Sequence, residues 1–131
     1  MLNRSEARKV CMTCLYQIDI LRQNKLPINV DEILKDNLEI ENDFVSEIVN
    51  GVTDHLDEID KLCNSYLSNW KINRLDKAGA NILRMAFYEL KYMDTPAIVV
   101  INEAVELAKT FTDKELADMI NASLDKFVKE S

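Results

Sequence analysis

Five groups of residues have the types and spacing that chemistry needs. Cys11-Met12-Thr13-Cys14 matches C-x-x-C, a redox pair or half a zinc site. Both cysteines fall on the apolar stripe of the first helical pattern, no strand–helix–strand unit precedes them, and Cys63 stands alone. Small core residues are the better reading. The single histidine, His55, lies in the acidic run "TDHLDEID", with no second histidine or cysteine pair to share a metal. It reads as a solvated surface side chain. Glu103 and Glu106 in "INEAVELAK" could act as paired carboxylates. Their place in the first turns of a helix favours dipole electrostatics and local hydrogen bonding instead. Trp70, in "SNWKIN", reads as a packing anchor at a helix junction rather than a stacking surface. Two glycines cannot build a phosphate loop, so no catalytic site, cofactor or metal is expected.

The fifth group is basic. The chain carries a net charge of −7, but residues 1–18 hold Arg4, Arg8 and Lys9 against Glu6 alone, a local +2 that leaves −9 for the rest. On a wheel of about 100° per residue, Arg4, Arg8, Lys9 and Tyr16 share one arc away from the apolar stripe. Cations beside an aromatic suit a phosphate backbone and an unstacked base. The alternative is a solvated face of snorkelling side chains. Charges farther off are screened beyond about 10 Å, so an acidic chain can still carry one local basic patch.

These residues need elements to hold them. At 131 residues, with 47% apolar and 30% charged side chains, the chain has the size and composition of one globular domain, 1–131. Few glycines, two prolines and abundant helix formers predict an all-α fold of six or seven helices. Helix one is expected over about 4–22, capped by Asn3 with Glu6, and helix two within 30–39. A long helix follows from 42 or 43 to about 67, with Gly51 a tolerated cost inside it, and another from 75 to 92. "AIVVINEAVELAKTF" is expected almost wholly buried, and Thr112 with Glu115 is expected to cap the last helix, to about 129. No stretch is long and apolar enough for a membrane span, and the polar start is unlike a secretory signal. Three cysteines without a framework fit reduced thiols and a cytoplasmic protein.

Five stretches, "ARKVCMTCLYQID", "FVSEIVNGV", "NILRMAFYEL", "VVINEAVELAKTF" and "MINASLDKFVK", together resemble the NusB family of bacterial transcription antitermination factors over nearly the whole chain. The resemblance implies a non-catalytic fold of two small helical bundles side by side. It implies binding to the boxA element of ribosomal RNA leader transcripts together with NusE, a small-subunit ribosomal protein. It also implies joining RNA polymerase with other Nus factors, and in some members a homodimer that buries the RNA face. By position, Arg4, Arg8 and Lys9 would meet phosphates, and Tyr16 and Tyr66 would lie on the RNA side. Met119 stands where relatives often have phenylalanine, which weakens stacking there. The first helix is also less basic than in arginine-rich relatives, so reliance on NusE should be greater. Asp76 and Glu89 would face basic residues of NusE. Two other classes stay open: the helical N-terminal module of a ribosomal RNA methyltransferase, and a dimeric scaffold without RNA.

Overall fold

A computed structural model describes residues 1–131. Seven α-helices form: α1 Arg4–Gln23, α2 Val30–Asn37, α3 Asp43–Asp54, α4 Leu56–Tyr66, α5 Lys77–Tyr92, α6 Ala97–Phe111 and α7 Lys114–Glu130, with one 3-10 turn at Ile72–Arg74. Five of the helix starts are set by side chains. Asn3, Asn29, Asn42, Asp76 and Asp113 each accept a hydrogen bond from the backbone N–H three residues on, satisfying one donor that the helix itself leaves free. At Asn3 the box is reciprocal, because Glu6 also accepts from the Asn3 N–H.

α5 is the organising element. Its residues Gly79–Glu89 are all buried. The helices α1, α2 and α3 gather on one flank, and α4, α6 and α7 on the other, so two small bundles share one helix. Two ion-pair clusters tie α1 to α5. Near the start of α1, Arg8 pairs with Glu89; near its end, Asp19 accepts from Arg84 Nη1 at 3.1 Å. Arg84 also grips Asp60 of α4 through two bonds of 2.7 and 3.2 Å. No buried side-chain nitrogen or oxygen lacks a partner, as a core with internal charge requires.

Four local expectations are corrected. The single helix of 42–67 breaks at His55, which closes α3 with its N–H on Gly51 O and opens α4 with its carbonyl on Ile59 N. One straight helix could not serve both flanks, since α3 packs on α1, α2 and α5 while α4 packs on α5 and α7. Gly51 is more than tolerated. A Cβ there would sit 2.2 Å from the Tyr88 ring, so the glycine lets α5 approach. α6 is not wholly buried: only Val100, Ala104, Leu107 and Ala108 are, while Ile98, Val99 and Phe111 are exposed, because α6 is an outer helix covered on one side. The cap of α7 is Asp113, one residue later than expected, while Thr112 ends α6. No helix is long and apolar enough to cross a membrane.

Candidate nucleic-acid interface

The capped start of α1 fixes where its basic residues point, and it divides them. Arg4 stays exposed, but its guanidinium carbon lies 4.1 Å from the centre of the Phe44 ring of α3, within reach of a cation–π attraction. Arg8 is only 4% exposed. Its Nε donates to Glu89 Oε1 at 3.0 Å and its Nη2 to Glu89 Oε2 at 2.5 Å, while Nη1 lies 3.4 Å from Glu103 Oε1. Burial works against the Arg8 charge, yet the hydrogen bond and attraction of Glu89 outweigh it, so the guanidinium holds its proton more firmly than usual. Ser5 Oγ donates to the same Glu103 oxygen at 2.6 Å.

Two expectations are therefore corrected. Arg8 does not share the exposed face with Arg4, Lys9 and Tyr16. Glu89, 1% exposed, does not face outward toward a partner. Each neutralises the other across the α1–α5 contact, and neither presents charge to solvent. Glu103 likewise serves this long-range cluster rather than the end of its own helix. Glu106 lies in the third turn of α6, too far from the helix start for the expected dipole contact, and is exposed 3.8 Å from Lys109.

The open face of α1 carries Ser5, Lys9, Tyr16 and Gln17, all exposed. Thr13, between them, donates its hydroxyl to Lys9 O at 3.0 Å. Lys9 Nζ lies 6.0 Å from the centre of the Phe111 ring at the end of α6. Tyr66 stands elsewhere, at the end of α4, partly buried. Its ring meets Phe127 edge-on at 5.5 Å and its hydroxyl donates to Glu130 at 3.1 Å. Desolvation and that carboxylate push the phenol above its usual range. Ser123 Oγ donates to Tyr66 O at 3.1 Å, which ties α4 to α7. Met119, one turn before Ser123, is partly buried against the core. Asp76 is exposed at the start of α5, where its Oδ2 accepts from Gly79 N at 3.4 Å.

The other candidates resolve simply. Cys11, Cys14 and Cys63 are free and buried. Burial pushes their thiols up, Cys14 to about 11, so none is a ready nucleophile. No group of three His, Cys, Asp or Glu side chains could hold a metal ion. His55 is exposed and stacks on Tyr92 with centres 5.0 Å apart. Trp70 is a correction: it is 48% exposed and anchors no core. Reading the sequence missed Phe44 and Phe111 as partners of the basic residues. Their signal was present, two aromatics at helix ends, but their pairing with α1 is a long-range fact.

Known proteins extend this picture. The family model described as NusB family matches residues 5–129. A transcription antitermination protein NusB from an Exiguobacterium species is 39% identical over 98% of this chain and 99% of its own. The same protein from Staphylococcus aureus is also 39% identical, over 98% of this chain and all of its own length. Among solved structures, NusB of T. maritima superposes with a TM-score of 0.84 at 31% identity, over 98% of this chain and 92% of that one. A crystal structure of antitermination factors NusB and NusE in complex with dsRNA gives 0.83 at 26% identity, over 98% and 97%. Sequence and fold agree from end to end, and the chain belongs to the NusB family.

Proposed function

We propose that this protein is a transcription antitermination factor that binds the boxA element of ribosomal RNA leader transcripts together with NusE. It acts as one helical domain over 1–131, without catalysis, in the cytoplasm, and joins the RNA polymerase elongation complex with other Nus factors. The observation that carries the reading is the end-to-end match to proteins named for antitermination, alongside a solved relative holding NusE and RNA.

The surface supports it. Arg4, Lys9 and Tyr16 on α1 supply cations and an aromatic to one RNA segment, with Tyr66 and Met119 offering a second region at the α4–α7 junction. Arg8 acts through position, holding α1 on α5. With two exposed cations on α1 rather than three, the log–log salt slope on single strands is about −1.4 for this helix. Asp76 is the exposed acid for a basic residue of NusE, and the −7 of the chain attracts a basic partner while repelling stray RNA.

The test is binding of the purified protein to a boxA RNA and to a scrambled RNA, with and without NusE, for the wild type and Lys9→Glu. Sequence-selective binding that NusE strengthens and Lys9→Glu weakens is expected. Binding indifferent to RNA sequence in the presence of NusE would overturn the reading.

A further inference from the structure

α1 and α6 both rest on α5, and they run parallel. Arg8 meets Glu89 near the end of α5, while Asp19 meets Asn81 and Arg84 nearer its start, so α1 is antiparallel to α5. α6 is antiparallel to α5 too, because its end at Thr112 lies beside Gly79. Side chains bridge the two outer helices: Ser5 and Arg8 to Glu103, and Lys9 to Phe111. From Glu103 to Phe111 is eight residues, a rise of about 12 Å. The same step along α1 from Ser5 and Arg8 reaches Thr13 and Tyr16. For parallel helices that step sets Phe111 toward the Thr13–Tyr16 level of α1, beyond its contact with Lys9; beneath, Arg8, Met85, Ala86, Glu89, Ala104 and Leu107 line a cleft with room for only about 10 Å³.

Phe111 differs from the other aromatics of its flank. Tyr66, Phe87 and Phe127 pack ring against ring. Phe111 is 41% exposed, stacks on no other aromatic ring, and has the Lys9 ammonium 6.0 Å from its centre. An uncommitted ring beside a cation, with a tyrosine opposite, is the arrangement that stacks an unpaired base while a lysine meets its phosphate.

The geometry points to Phe111 as a base-stacking residue of the RNA face, closing the α1–α6 furrow opposite Tyr16. This rests on the RNA-binding reading above. The cleft beneath is far too small for a base, so the base lies across the rim rather than in a pocket.

The experiment measures boxA RNA binding in the presence of NusE across a salt series. Phe111→Leu should weaken binding at least about fivefold, and Phe111→Tyr should restore it. The salt slope should not change with Phe111→Leu, whereas Lys9→Gln should lower it by about 0.7. Ile98→Ser, at the opposite end of α6, should bind as wild type. A second readout covers any loss of stability in Phe111→Leu: in Trp70→Phe with Phe111→Trp, RNA should quench the one tryptophan. Binding by Phe111→Leu within about twofold of wild type, or an unquenched tryptophan in an RNA-bound complex, would overturn the proposal. Wild type that fails to select boxA RNA brings down the functional reading and this inference together. Selective wild-type binding with indifferent Phe111 variants sinks this inference alone.

Discussion

Arg8 and Lys9 are adjacent in sequence and carry the same charge, yet they belong to different worlds. Arg8 faces inward, 4% exposed, and is spent on Glu89 and Glu103. Lys9 faces outward with only an aromatic edge of α6 for company. Arg4 is intermediate, exposed but resting on Phe44. The same helix therefore carries a structural cation, a half-committed cation and one held only by a distant aromatic contact. The lesson is that counting bases on a helix overstates what a polyanion can reach.

Breaking the inner side should cost most. Arg8→Met leaves the Glu89 carboxylate buried without its partner, and such losses run to about 3–5 kcal/mol. Chemical denaturation should show it. Arg8→Met combined with Glu89→Leu should recover most of that stability, because an apolar pair of similar volume replaces both charges. The double variant should also keep boxA RNA binding, measured with NusE. A double variant that is stable but blind to RNA would put Arg8 on the RNA itself.

The inner face also holds Cys11 and Cys14. Burial raises the Cys14 thiol from the ordinary 9.0 to about 11, and raises Cys11 as well. The unfolded chain ionises first, so the thiols' contribution is intact below pH 9 and is lost as the pH climbs through 9 toward 11. Denaturation midpoints should fall across that window, and Cys14→Ala should flatten the fall.

Arg4→Gln removes one cation–π contact. It should lower stability by about 0.5–1 kcal/mol and reduce the salt slope of RNA binding by about 0.7. Lys9→Gln is the mildest to the fold, within about 0.5 kcal/mol of wild type, with the same reduction in slope. If Lys9→Gln were as destabilising as Arg8→Met in the same denaturation series, the division of α1 into two sides would fail.

Much of this was legible in the chain. The caps at Asn3 and Asn42 and the apolar spacing around Cys11, Cys14, Leu15 and Ile18 place α1 and the start of α3 directly, and Cys11 and Cys14 fall in the core as their stripe demands. What the pattern hid was partnership. An arginine on a helical wheel looks exposed, and only a glutamate 81 residues away in sequence makes its burial affordable. The break at His55 was hidden for a similar reason, since the sequence remains helical on both sides and only the need to lie on two flanks bends it. Trp70 and the outer residues of α6 show the converse, because apolar character does not tell which apolar residues will find a neighbour.

The run Gly79–Glu89, enclosed from both flanks, sets how the molecule comes apart. Loosening either bundle leaves α5 still half-sheathed by the other. Its amide hydrogens should accordingly exchange with solvent only when the whole chain opens, and share one common protection. Those of α2 and of the first turn of α6 should exchange through smaller, local openings, so isotope labelling would draw α5 as the slow spine of the protein.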